Sequence, residues 1–168
     1  MANANDFVRA LQAKGHGGVE TVNDYWRRQK REWLEDLLAL RSAIRQWLGP
    51  VSAAGLATVV DRDDVSLTEP DLGHYLAPEL AITLLVPDEP RTVLLRPRGM
   101  AIVGLVGARG IGARGRVDLE CGVVREILLR SKDKAPTRWL SFSGGEQKTL
   151  DEELFFELLA RITEIKVR

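Results

Sequence analysis

Apolar residues at helical spacing form a long row in the first third of the chain. Three of the four tryptophans belong to this row, whose members are Trp26, Trp33, Leu37, Leu40, Ile44 and Trp47. Spacings of three and four residues keep such side chains on one side of a helix, so the pattern predicts a helix over residues 21–48. Thr21 with Asp24 is typical of a capped start, and Gly49-Pro50 predicts the end. A helix of this kind needs a large apolar surface to cover, in its own chain or in another.

A shorter helix is predicted before the long one. Asn5 can cap a helix over residues 6–14, and the glycine-rich run after it can end it. The two helices together predict a helical hairpin over residues 6–48.

Between residues 56 and 142 the pattern changes to short β-runs separated by turn residues. From Ala81 onward the runs start roughly 10 residues apart, which leaves no room for crossover helices and favours antiparallel meander pairing. We therefore expect a curved antiparallel sheet of six or seven strands, from the runs Leu56–Val60, Ala81–Val86, Thr92–Arg96, Ala101–Val106, Arg114–Cys121, Val124–Arg130 and Thr137–Phe142.

A second helical stripe closes the chain. Thr149 followed by Glu152 is typical of a capped start and predicts a helix over residues 150–165. We expect a single α+β domain, residues 1–168, in which the helical hairpin and this C-terminal helix cover one face of the sheet.

Composition narrows the classes of function. Lys+Arg and Asp+Glu are equal at 24 each, so no overall field attracts nucleic acid or anionic lipid. No apolar stretch is long enough to span a bilayer, and the N-terminus has no secretion signal. The single cysteine, Cys121, cannot form an internal disulfide. We expect a cytoplasmic protein with no membrane partner.

Two glycine-containing segments resemble parts of nucleotide sites. Phe142–Thr149 resembles the signature motif of ABC-type ATPases, which implies a Ser-Gly-Gly turn presenting backbone N–H groups to a γ-phosphate. The chain has no Gly-x-x-x-x-Gly-Lys-[Ser/Thr] loop, so we interpret this segment as a polar turn between a strand and a helix. Gly110–Gly115 fits Gly-x-Gly-x-x-Gly, but a strand is predicted after it, which indicates tight turns and close backbone packing in a bent sheet.

Acidic residues and histidines give no metal or catalytic pattern. Asp61-Arg62-Asp63-Asp64 lacks the glycine and final glutamate of an EF-hand loop and predicts a hairpin turn. His16 and His74 have no partners at metal-ligand spacing and follow no nucleophile motif. We therefore predict no metal, no cofactor and no catalytic residue. His74, interpreted as a surface-loop residue near Glu69 and Asp71, keeps open an enzyme of unrecognised type.

The start of the long helix supplies the first candidate binding surface. A helix of this length measures roughly 40 Å, whereas a strand spans about 20 Å, so its end should overhang the sheet. Tryptophan and arginine are enriched in interface hot spots. The leading hypothesis is a non-catalytic protein-interaction module, in one form a bacterial immunity or antitoxin-type inhibitor. The long helix also offers a route to a homo-oligomer. The predicted contact residues are Trp26, Arg27, Arg28 and Arg31.

Arginines beside the glycine-rich strands supply the second candidate. Guanidinium groups hold phosphate bidentately, so the alternative function is binding of nucleic acid or a phosphate ligand. Asp118 and Glu120 alternate with these arginines, which favours a paired, solvated strand face. The predicted anion-binding residues are Arg96, Arg98, Arg109, Arg114 and Arg116.

Overall fold

Antiparallel strands in sequence order, flanked by helices, make up the part of the chain that the structure describes. The computed structural model describes residues 4–6, 8–9, 21–101, 113–132, 135–142 and 145–167. Its helices are α1 (Val22–Trp47), α2 (Gly49–Ala53) and α3 (Glu152–Thr163). Its strands are β1 (Ala57–Glu69), β2 (Gly73–Leu84), β3 (Arg91–Gly99), β4 (Ala113–Cys121), β5 (Val124–Ser131), β6 (Arg138–Ser141) and β7 (Lys148–Thr149). The α+β class is confirmed.

The strands form one sheet in the order β1-β2-β3-β4-β5-β6-β7, with every described pair antiparallel. Leu80, Leu95 and Leu119 stand opposite one another on three neighbouring strands and are buried. The helices cover this apolar row. The buried side chains that α1 contributes are Trp33, Leu37, Leu40 and Ile44, as the helical spacing predicts, and α3 adds Leu154, Phe155, Leu158, Leu159 and Ile162.

The start and the end of α1 agree with the sequence prediction. The side chain of Thr21 accepts a hydrogen bond from the Asp24 N–H at 3.1 Å, which confirms the predicted cap. Helix α1 ends at Trp47, at the predicted Gly49-Pro50 boundary, and Gly49-Pro50 then starts a second short helix, α2. Proline fits the first turn of a helix because its missing N–H would have no partner there. Residues 4–6 and 8–9 are helical, whereas the turn of the predicted hairpin lies outside the described residues.

The prediction of a hairpin turn at Asp61-Arg62-Asp63-Asp64 is wrong, because these residues lie inside β1. The register shifts between Arg62 and Val65, so a β-bulge takes up the extra residue. Arg41 of α1 holds the Asp63 carboxylate at 2.6 Å, which compensates its charge within the strand. The chain turns later, before Gly73, whose φ of 71° favours glycine.

The last strands and the start of α3 also differ from the prediction. Thr149, the expected cap, belongs to β7, which pairs with β6. Asp151 caps α3 instead, since its carboxylate accepts from the Leu154 N–H at 2.8 Å. The predicted strand Ala101–Val106 falls almost entirely outside the described residues. Among the helices described, none is both long enough and apolar enough to cross a bilayer.

Candidate functional site

Aromatic and cationic side chains meet at the N-terminal end of α1. The rings of Tyr25 and Trp26 pack edge to face at 5.0 Å, and the Arg28 guanidinium lies 5.5 Å from the centre of the Tyr25 ring. The side chain of Arg27 is 78% exposed and has a long ion pair with Asp24, 3.7 Å. We call this surface the helix-end patch; it comprises Tyr25, Trp26, Arg27, Arg28 and Arg31.

An open cavity of about 260 Å³ adjoins the helix-end patch. Trp26 is half-buried and forms one wall, while Asp71 and Leu72 of the β1–β2 turn form another. The Lys30 Nζ lies 3.5 Å from the Leu72 carbonyl oxygen, within reach to donate to it. No sequence pattern indicates Asp71 and Leu72 as neighbours of Trp26, because the contact depends on how the hairpin folds back onto the helix.

The predicted anion-binding arginines do not all come together. Arg96 and Arg98 lie on β3, and Arg116 lies on the neighbouring strand β4. Arg114 is exposed, and its carbonyl oxygen accepts from the Arg130 Nη1 at 3.0 Å. Arg109 lies outside the described residues. Three of the predicted residues therefore share one surface in the structure.

Carboxylates are interleaved with these arginines. The Asp118 carboxylate accepts from the Nε atoms of Arg98 at 2.9 Å and Arg116 at 2.7 Å. Arg98 also donates to Glu120, and Arg125 of β5 lies 3.8 Å from Asp118. The paired strand face that the alternation favours is thus present.

The paired face extends to β1 and β2 through residues that the sequence did not single out. Arg96 Nε donates to Glu79 at 2.9 Å, and Arg62 lies 3.5 Å from the other oxygen of the same carboxylate. Glu79 and Asp118 are 2% and 0% exposed. The alternation predicted a solvated Asp118. The carboxylate is buried because arginines cover it, and such burial is tolerated only with this pairing.

The arginines of β1 and β3 border a cleft of about 490 Å³. It opens between the bulged part of β1 and the second half of β3. We call it the hairpin cleft; its lining residues are Arg62, Asp64, Val65, Ser66, Leu67, Glu79, Arg96, Pro97 and Arg98.

His74 lies on β2 rather than on a loop, which corrects the sequence interpretation. Its ring nitrogens are 3.3 Å from the Ser66 hydroxyl and 3.2 Å from the Thr68 hydroxyl. The contacts of the ring in the described part of the chain are with these two hydroxyls and not with a carboxylate. Asp71 lines the cavity beside the helix-end patch. Neither Glu69 nor Asp71, the carboxylates expected near His74, is therefore paired with the ring.

Glu69 belongs instead to a buried hydrogen-bond chain. It accepts from the Tyr75 hydroxyl and from the backbone N–H groups of Met100 at 3.1 Å and Ala101 at 2.7 Å. The Trp33 Nε1 donates to the Tyr75 oxygen at 3.1 Å. Burial, and next the hydrogen bond to the Glu69 carboxylate, raise the pKa of the Tyr75 hydroxyl.

A second buried network ties α1 to β5. The fully buried Arg130 donates through Nε to the Asp36 carboxylate at 2.8 Å and lies 5.5 Å from the centre of the Trp33 ring. Lys132 donates to Glu32 at 2.9 Å, a contact that lowers the pKa of the Glu32 carboxyl. Burial lowers the pKa of the Arg130 guanidinium. The network fixes the position of α1 on the sheet.

Within the described ranges, no group of His, Cys, Asp and Glu side chains is arranged to hold a metal ion. Comparisons of the chain with models of protein families, with curated proteins and with solved structures found no match. Function is therefore inferred from the geometry and chemistry of the helix-end patch and the hairpin cleft.

Proposed function

We propose that this chain is a non-catalytic module that binds another protein through the helix-end patch. The observation that carries the proposal is the grouping of two packed aromatic rings with the exposed Arg27 guanidinium beside an open cavity. Tryptophan, tyrosine and arginine dominate the binding energy of protein interfaces.

The distribution of apolar residues along α1 supports this proposal. Trp33, Leu37 and Ile44 are buried inside the chain, so most of the apolar face of α1 is already covered. Trp26 is only half-buried and borders the cavity. A partner side chain that fills the cavity would remove the rest of the Trp26 ring from water, which is a favourable step.

The charges of the helix-end patch indicate the chemistry of the partner. The Arg27 guanidinium is mostly in water, and an exposed ion pair such as the one with Asp24 contributes little. Arg27 can therefore exchange this contact for a carboxylate of a partner. We infer a partner surface with an apolar side chain ringed by acidic groups. A bacterial enzyme held inactive by an immunity or antitoxin-type inhibitor is one partner of this kind.

Charge reversal at the patch tests the proposal. The tagged chain, its Arg27→Glu variant and an Arg91→Glu control are used to capture proteins from cells that naturally produce the chain. Arg91 is an exposed arginine at the start of β3, so the control makes the same chemical change on a different element. We expect Arg27→Glu to weaken binding of the captured partner by at least about 10-fold, because it places a like charge against the acidic rim.

Two results would contradict the proposal. In one, the unmodified chain is recovered alone under gentle conditions. In the other, Arg91→Glu and Arg27→Glu reduce capture equally, which would mean that binding does not use the helix-end patch. Thermal unfolding of both variants checks that they remain folded.

A further inference from the structure

The hairpin cleft exists because β2 and β3 pair along only part of their length. The register joins Leu80–Leu84 to Arg91–Leu95, and the remainder of β3 pairs with β4 alone. Beyond Leu80, among the described residues, the β1–β2 hairpin has no backbone ladder with β3. The two meet again where Glu69 accepts from Met100 and Ala101 just after β3, and a concave space of about 490 Å³ opens on this stretch. Pockets that hold small ligands have volumes of roughly 300 to 1,000 Å³.

Three arginines converge on the hairpin cleft, and buried carboxylates hold two of them in place. Glu79 accepts from Arg96, and Asp118 accepts from Arg98, while Arg62 lies 3.5 Å from Glu79. These contacts fix the direction of each guanidinium before any ligand arrives. A fixed cation loses less conformational entropy on binding than a mobile one.

The guanidinium groups keep hydrogen-bond donors for a ligand. Each guanidinium has five N–H donors. Counting contacts among the described residues, the hydrogen bonds use the Nε of Arg96 and the Nε and Nη2 of Arg98. The Arg62 side chain is 49% exposed, and its contact with the described residues is the ion pair with Glu79.

We propose that the hairpin cleft binds the phosphate group of a small anionic ligand. Among the charged residues that line the cleft, Arg62, Arg96 and Arg98 outnumber Asp64 and Glu79, so the lining itself has one positive charge in excess. A planar guanidinium fork matches two phosphate oxygens, and forks from two strands can grip one group from both sides.

The surroundings of the cleft favour a compact ligand over a nucleic acid. Outside the cleft, Glu120 and Asp118 alternate with the arginines along the sheet and would repel a phosphate chain laid across it. The cleft uses strands β1 to β3, whereas the helix-end patch lies on α1. Binding of phosphate here therefore does not depend on the proposed protein partner.

Titration with inorganic pyrophosphate at low ionic strength tests the inference. Calorimetry compares the unmodified chain with Arg62→Gln and with Arg125→Gln. The control is closely matched, because Arg125 is 54% exposed, lies on the same face and contacts a buried carboxylate at 3.8 Å, but does not line the cleft. We expect Arg62→Gln to weaken pyrophosphate binding by about 10-fold or more, and Arg125→Gln by less than about 2-fold.

A measurement on the unmodified chain removes any dependence on how the variants fold. In a nitrogen–proton correlation spectrum, pyrophosphate should shift the side-chain Nε–H signals of Arg62, Arg96 and Arg98 more than that of Arg125. A parallel titration with a short oligouridylate RNA distinguishes a polymer from a small ligand.

The inference is overturned if millimolar pyrophosphate does not bind. It is also overturned if the Arg62 and Arg125 variants lose equal affinity, or if the RNA binds more tightly than pyrophosphate with equal losses in both variants. Equal losses in the Arg62 and Arg125 variants would mean that the anion binds across the charged face of the sheet and not in the hairpin cleft.

Discussion

At the scale of single residues, the hydrogen-bond chain from Trp33 through Tyr75 to Glu69 links three parts of the fold. It joins α1 to the β1–β2 hairpin and, through the N–H groups of Met100 and Ala101, to the end of β3. Each of these side chains is buried, and each finds its hydrogen-bond partner in the next one. Removing one member leaves the others unpaired, which costs more than the lost bond alone.

Replacing Tyr75 by phenylalanine should destabilise the fold. Tyr75→Phe takes away the acceptor of the Trp33 Nε1 and the donor to Glu69. We expect a loss of about 2 kcal/mol in the free energy of unfolding, measured by urea denaturation. Tyr25→Phe is the control, since the Tyr25 hydroxyl makes no hydrogen bond to the rest of the described chain. Equal losses of unfolding free energy in Tyr75→Phe and Tyr25→Phe would contradict a stabilising role for this hydrogen-bond chain.

The same residue should make stability depend on alkaline pH. The pKa of Tyr75 is raised in the folded state, so folding favours the neutral hydroxyl. Its contribution is complete below the unfolded pKa, about 10, and is lost as the pH rises through that value toward the folded pKa. We expect the urea midpoint to fall between about pH 9 and pH 11, and to fall less steeply in Tyr75→Phe. Identical pH profiles would count against this assignment.

A glycine on β4 allows Trp33 to lie against the sheet. A Cβ at position 115 would come within 2.4 Å of the Trp33 ring, and the φ of Gly115 is 149°. Gly115→Ala should therefore cost about 3 kcal/mol, from overpacking together with backbone strain. Gly122→Ala isolates the strain, because Gly122 has a φ of 60° and nothing within 4 Å of its Cβ position. We expect thermal unfolding to show a smaller loss, about 1 kcal/mol, for Gly122→Ala.

At the scale of elements, the cap of α3 shows where a local pattern gives two candidates. Thr149 and Asp151 are both good capping residues, and Thr149 has the more familiar spacing to Glu152. Pairing of β7 with β6 takes Thr149 into the sheet, so the helix begins at the next available cap. Spacing in the sequence does not show that the sheet and the helix compete for Thr149.

Substitutions at Asp151 and at Thr149 should show which of the two residues caps α3. Asp151→Ala removes the acceptor of the Leu154 N–H and should cost about 1 kcal/mol of stability. Thr149→Ala affects an exposed position on a two-residue strand and should change stability by less than about 0.5 kcal/mol. Chemical denaturation of both variants checks the expectation. The opposite order would restore Thr149 as the cap.

Elements with strong periodicity were predictable, and those fixed by tertiary pairing were not. The apolar stripe of α1 and the alternation of β4 can each be seen within the sequence of the element itself. The acidic residues of β1 look like a turn locally, and only pairing with β2 and Arg41 places them in a strand. For the candidate sites, the sequence indicated Arg96 and Arg98. It did not indicate Arg62, because that arginine joins them only through the bulged hairpin.

At the scale of the whole molecule, the ion pair between Asp36 and Arg130 joins segments 94 positions apart in the chain. Arg130 is fully buried, so its charge depends on Asp36 and on the Arg114 carbonyl for compensation. Loss of one partner would leave an uncompensated buried charge.

Asp36→Ala should accordingly cost about 3 kcal/mol or more in the free energy of unfolding. Glu35→Ala serves as the control, since Glu35 is an exposed acidic residue on the same helix. Its replacement should cost less than about 0.5 kcal/mol. Hydrogen exchange should also show that amides of α1 and β5 lose protection together in Asp36→Ala. A stable Asp36→Ala variant would mean that water or another group compensates Arg130.

The bulge in β1 has a consequence for how separate molecules behave toward one another. β1 pairs with β2 alone, so its other side is an open edge of the described sheet. Arg41 and Arg45 of α1 lie within 3.5 Å of backbone oxygens on this strand, and the bulge carries acidic side chains. Irregular, charged edges resist the addition of a foreign strand. We therefore expect the acidic run, which resembles a turn in the sequence, to make edge-to-edge association of separate molecules unfavourable.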